Sequence, residues 1–76
     1  MAWARKIWSG ESEVGKRYYC SLFELEDGTY RLNIMDNANG KCAYCLFDGD
    51  GALMTAQAEY DKIIKGKITP VSYRFV

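Results

Sequence analysis

"GKCAYCLFDGDG", residues 40–51, decides the fold, because it reads either as part of a ligand site or as a strand running into a turn. Cys42 and Cys45 stand three apart, and Asp48-Gly49-Asp50-Gly51 follows. A structural zinc site wants four thiolate or imidazole ligands. The chain has three cysteines and no histidine, so Cys20 would need a carboxylate beside it to complete a set. In an extended strand, residues three apart point to opposite faces, which separates Cys42 from Cys45 both as ligands and as a disulfide pair. A redox Cys-x-x-Cys sits at a helix N-terminus, where the dipole stabilises the thiolate, and this one lies mid-strand. Read as a calcium loop from Asp48, the segment places Glu59 at the bidentate position. Ala52, Leu53 and Met54 then supply no side-chain oxygen, and a strand rather than a helix precedes the loop. A strand over 41–47, a turn and a helix cap account for every residue, with the cysteines packed as small hydrophobes.

Upstream, residues 16–25, "KRYYCSLFEL", are rich in aromatic and apolar types and read as a strand. Glu26-Asp27-Gly28 is a turn signal, and "TYRLNIM" (29–35) alternates, with Tyr30, Leu32 and Ile34 opposed to Arg31, Asn33 and Met35. "DNANGK" (36–41) is a second hairpin turn, with Asn39-Gly40 expected to supply positive backbone angles. Residues 2–8 are compatible with one more strand, in which Trp3, Arg5 and Ile7 alternate with Ala4, Lys6 and Trp8.

Downstream the period changes. In residues 50–66, Leu53, Ala56, Tyr60, Ile63 and Ile64 fall at helical spacing on one face. Asp48 or Asp50 is expected to cap the helix N-terminus; Lys62 and Lys65 suit its last turn, and Gly66 its end. Residues 67–76 return to a period of two, with Val71, Tyr73 and Phe75 on one face and Pro70 favouring a sheet edge. The expectation is one α+β domain over 1–76, an antiparallel meander of three to five strands with one helix on a face, in the order (β)βββαβ.

Composition narrows the function classes. A chain of 76 residues makes one domain, and at 49% apolar it can build a core. No apolar run approaches the ~20 residues of a membrane span, and the N-terminus lacks the apolar stretch of a signal peptide, so the expected location is cytoplasmic. Ten basic residues balance ten acidic ones, without the strong basic stripe of a duplex-DNA binder. The absence of histidine removes the commonest general base and metal ligand. There is no Gly-x-Ser-x-Gly, Walker loop or dinucleotide fingerprint, and Glu24 and Glu26 beside a turn read as solvated carboxylates rather than paired acids. No catalytic residue, cofactor or metal is expected.

Apolar surface is left over. Tyr18, Cys20 and Leu22 oppose Tyr19, Phe23 and Leu25, and Cys42, Tyr44 and Leu46 oppose Ala43, Cys45 and Phe47. One helix covers one face. The other needs the N-terminal segment with its two tryptophans, a second copy of the chain, or a partner. Two tryptophans, six tyrosines and three phenylalanines fit either a small core built from large side chains or an interface.

The leading expectation is a non-enzymatic module that binds a larger protein, with Trp3, Trp8, Tyr18, Tyr19, Tyr30, Arg17 and Arg31 as candidate interface residues. In size, charge balance and β-rich layout the chain resembles the small inhibitors that phages and other mobile elements make, anti-CRISPR proteins among them. That resemblance implies a viral protein that blocks a larger machine by occupying its surface. The alternative is a nucleic-acid-binding domain, since a three-stranded sheet followed by a helix resembles DNA-binding domains of the integrase N-terminal type. Its contacts would come from Tyr18, Tyr19, Tyr30 and Tyr44 with Arg5, Lys6, Lys16, Arg17 and Arg31. Zero net charge and the acidic turn at Glu24, Glu26 and Asp27 oppose it.

Overall fold

Strand-forming residues separated by short glycine-bearing turns leave the chain little choice but to fold back on itself. The computed structural model describes residues 3–13 and 15–66; the last segment expected as a strand, 67–76 with Pro70, Val71, Tyr73 and Phe75, lies outside them. Four strands, β1 (Ala4–Glu11), β2 (Tyr18–Leu25), β3 (Tyr30–Asp36) and β4 (Cys42–Phe47), precede one helix, α1 (Ala52–Ile64). Each strand pairs antiparallel with its neighbour in the chain, giving a meander in the order β1-β2-β3-β4. The α+β fold read from the sequence is the fold observed.

The turns follow their glycines. At the β2–β3 connection the Gly28 N–H donates to the Leu25 carbonyl at 3.1 Å and the Leu25 N–H to that of Thr29 at 2.9 Å, with Gly28 at φ 88°. At the β3–β4 connection Gly40 alone takes the positive angle, at φ 73°, and Asn39 does not. There the Asp36 N–H donates to the Lys41 carbonyl and the Gly40 N–H to the Asp36 carbonyl. A single left-handed residue after a type I turn is enough to close a four-residue hairpin loop.

The N-terminal segment is a strand, longer than the sequence suggests and coplanar with the rest. Its pairing with β2 shifts between Lys6 and Trp8, so Ile7 is the extra residue of a β-bulge. Bulging reverses the alternation. Trp8 comes to lie opposite Leu22 on the helix side, where its ring meets that of Tyr60 with centroids 5.3 Å apart. Trp8 therefore does not cover the second face of the sheet.

The core lies between α1 and the face carrying Cys20, Leu22, Leu32 and Ile34, all fully buried with Ala56 and Ile63 of the helix. Tyr18, Tyr30, Phe47, Leu53, Tyr60 and Ile64 pack around them. Burying each large aliphatic side chain stabilises by roughly 1.5–3 kcal/mol, which makes this layer the main source of stability. Ala43 is buried in the same layer, and Gly10 of β1 leaves room for the helix: a Cβ there would stand 3.0 Å from the Tyr60 hydroxyl oxygen.

The helix ends differ from expectation at one side. Gly51, at φ 74°, occupies the N-cap position, and no side chain caps the helix, so neither Asp48 nor Asp50 has that role. At the C-terminus Lys62 lies in the last turn and Gly66 takes φ 72°, its N–H donating to the Ile63 carbonyl at 3.1 Å. The Glu13 N–H caps the Ile64 carbonyl at 2.6 Å, tying the helix end to the loop after β1.

The same end of the sheet carries a polar tie. Arg17 reaches the nearly buried Asp36 carboxylate through Nε at 3.3 Å and a terminal nitrogen at 3.1 Å, and the Ala38 N–H donates to it at 2.9 Å. Asn37 donates its side-chain amide to the Lys16 carbonyl and its backbone N–H to that of Arg17. Hydrogen bonding to Arg17, then to the Ala38 N–H, holds the Asp36 carboxyl below its usual range, with burial opposing.

Candidate functional site

Cross-strand pairs share a face, so the register assigns every strand residue to a side of the sheet. Away from the helix it sets out three rows: Lys6, Phe23, Arg31 and Leu46; Ser9, Ser21, Asn33 and Tyr44; Glu11, Tyr19, Met35 and Cys42. On this side Tyr44 is 57%, Leu46 55% and Met35 38% exposed. A shallow depression of about 490 Å³ runs between Tyr19, Arg31, Met35, Cys42 and Tyr44. The sheet thus has one face sealed by α1 and one presenting aromatic, aliphatic and cationic groups.

Within the open face the charged groups are stacked on rings. The Arg31 guanidinium lies 4.2 Å from the Tyr44 ring centroid, and its Nε donates to Asn33 Oδ1 at 2.7 Å. Lys6 stands 6.0 Å from the Phe23 centroid. A cation over an aromatic face gains electrostatic attraction, and Arg31, with a hydrogen bond as well as a ring, is held the more firmly of the two. Neither is in an ion pair among the described residues; those are Arg5–Glu24, Arg17–Asp36 and Lys65–Asp61. The Tyr19 phenol is pulled below its ordinary pKa chiefly by a hydrogen bond with Ser9, with Lys6 and Ser21 adding and burial opposing.

The residues proposed from sequence are divided by the fold. Tyr19 and Arg31 lie on the open face. Tyr18 and Tyr30 lie on the helix side, partly buried against the core. Trp8 is there too, packed on Tyr60, and Trp3 sits at the rim beside the β2–β3 turn, where its carbonyl accepts from the Glu26 N–H. Arg17 is engaged by Asp36 and lies over the Tyr18 ring at 5.5 Å. Among the basic residues weighed for nucleic acid, Arg5 pairs with Glu24, and Lys16 lies in the β1–β2 loop at φ 48°. Phe23, Met35 and Leu46 join the site unannounced. The polar face of β3, Arg31 with Asn33, was the signal for them, because Met35 follows on that face and the register marks Phe23 and Leu46 as the neighbours of Arg31.

Cys42 and Cys45 face opposite sides, as a strand period of two requires. Cys42 is exposed in the open face, while Cys45 is half-buried, its thiol pushed up in pKa by burial and then by the charge of Glu59. Cys20, fully covered, is pushed up to about 11 by burial. No helix among the described residues is long and apolar enough to cross a membrane. Comparison with protein-family models, with curated proteins and with solved structures found no match.

Proposed function

We propose that the protein is a non-enzymatic binding module that works by occupying the surface of a larger protein with the open face of its sheet. The observation that carries this reading is the contiguous exposure of Met35, Tyr44 and Leu46 around a stacked Arg31. Interface centres are enriched in tyrosine, methionine and arginine, and an apolar sheet face opposite a sealed core is a surface that asks for a partner. Inhibition of a larger machine, as small phage-encoded inhibitors achieve it, needs nothing more than such a face. The exposed thiol of Cys42 suits a reducing compartment such as the cytoplasm.

The test is a nuclease-treated pull-down from the host lysate, comparing the wild type with a folded Tyr44→Ala/Leu46→Lys variant. A stoichiometric protein retained by the first and lost by the second supports the reading. A partner retained equally by both refutes it.

Nucleic-acid binding has one observation in its favour, the pairing of cations with rings at Arg31–Tyr44 and Lys6–Phe23. Against it stand two exposed aliphatic side chains, Met35 and Leu46, and a face on which the described strand residues supply only two cations. Binding of single-stranded oligothymidylate that falls steeply with salt would favour this second reading.

A further inference from the structure

Three features of the open face converge on the chemistry of its partner. Arg31 is fixed on two sides, by the Tyr44 ring at 4.2 Å and by Asn33 Oδ1 on its Nε at 2.7 Å. With Nε engaged, both terminal nitrogens remain to donate, and together they match the two oxygens of a carboxylate approaching end-on. Lys6 lies in the same cross-strand row with Phe23 between them, a separation of roughly 10 Å from strand spacing. The only carboxylate in the three rows is Glu11, at the far end of the sheet and within reach of Asn37. Around Arg31 the face is therefore positive, its large neighbours are Phe23, Leu46 and Tyr44, and Met35 lies further along the sheet beyond the Ser21–Asn33 row.

Resting on the protein-binding reading above, we propose that Arg31 is the anchor of the interface, and that the partner presents an Asp or Glu side chain flanked by apolar residues. The carboxylate takes the two terminal nitrogens of Arg31, and an apolar neighbour enters the depression between Tyr19, Met35 and Cys42. Asn33 acts as a positioning residue that holds the guanidinium over Tyr44. The charge of Lys6 assists at longer range. Protein is favoured over nucleic acid because exposed aliphatic groups offer no stacking platform and because two cations neutralise few phosphates.

The experiment selects phage-displayed random peptides on the full chain, then measures binding of the recovered peptides, as synthetic peptides, to the wild type and to Arg31→Gln, Arg31→Lys, Asn33→Ala and Leu46→Lys. Melting curves of each variant establish that it is folded. The expected peptides share an acidic residue next to an apolar one. Their affinity falls roughly 10- to 100-fold with Arg31→Gln, the loss expected for a hydrogen-bonded charge partner. Arg31→Lys falls nearly as far, because an ammonium cannot offer the planar fork.

Peptides that lose binding in Leu46→Lys but carry no acidic residue, or that bind Arg31→Gln unchanged, overturn the carboxylate anchor and leave the docking face standing. Recovery of no peptide, or of peptides indifferent to every open-face variant, overturns both. Self-association that Leu46→Lys abolishes makes a second copy the occupant and likewise overturns the proposal.

Discussion

Leu32 and Leu46 are the same residue type on neighbouring strands, and only the side of the sheet separates them. Leu32 is 0% and Leu46 55% exposed. Replacing Leu32 by Ala leaves a cavity beneath α1 among Leu22, Ile34 and Ile63, and changes of this kind cost about 2–5 kcal/mol. For Leu46, a little under half of the surface is covered. Scaling the roughly 1.5–3 kcal/mol for burying a whole side chain by that fraction gives about 0.7–1.4 kcal/mol, and Leu46→Ala, which keeps the Cβ, loses somewhat less, about 0.5–1 kcal/mol. A domain of this length has about 4–11 kcal/mol of total stability, so Leu32→Ala removes a large share and Leu46→Ala a small one. In melting temperature the difference is at least about 10 °C against a few degrees. Urea unfolding followed by tryptophan fluorescence suits the comparison, because Trp8 rests on Tyr60 and reports separation of helix from sheet. Losses of equal size would refute the reasoning, since they would mean that the second face is covered in the folded chain.

Other outcomes follow from the same geometry. Gly10→Ala pushes a methyl against the Tyr60 hydroxyl and is expected to lower stability by about 1 kcal/mol or more; in a Tyr60→Phe background the same change is expected to be neutral or stabilising, which a double-mutant cycle by denaturant unfolding measures. Cys42 is expected to react with Ellman's reagent first, Cys45 more slowly, and Cys20, whose pKa is about 11, only on unfolding; a native-state rate for Cys20 equal to that for Cys42 would contradict its burial. Asp36 has its carboxyl held below the ordinary value of about 3.9, so its contribution is complete above that value and is lost as pH falls through the lower folded one. Stability measured from neutral to strongly acid pH should therefore fall more steeply below about pH 4 in the wild type than in Asp36→Asn.

The parts of the fold that were legible in the sequence are those where one physical signal acted alone. β3 alternates Tyr30, Leu32 and Ile34 with Arg31 and Asn33, and α1 repeats its apolar residues at helical spacing, so both elements and their inward faces could be read directly. β2 and β4 carry apolar residues on both sides, so their period gave the strands without telling which side the helix takes. The seven candidate interface residues could not all share a surface, because Tyr18 and Tyr19 are adjacent in one strand and must point apart. Trp8 escaped because a bulge carries no strong local sequence signature, and one inserted residue exchanges the faces of everything beyond it. The N-cap was missed for a different reason. Asp48, Gly49, Asp50 and Gly51 offer two capping side chains and two left-handed residues, and the backbone used the glycines.

The meander places each strand beside the one made just before it, and the helix follows the four strands of the described residues. During synthesis every strand meets a partner already present, yet the sheet gains its cover only when Ile63 has left the ribosome. Until then Leu22, Leu32 and Ile34 lie open on one side while Phe23, Tyr44 and Leu46 lie open on the other. The helix cannot form ahead of that moment, because 13 residues are too few to hold a helix alone in water. A chain stopped short of residue 63 would therefore be a sticky ribbon with two apolar faces.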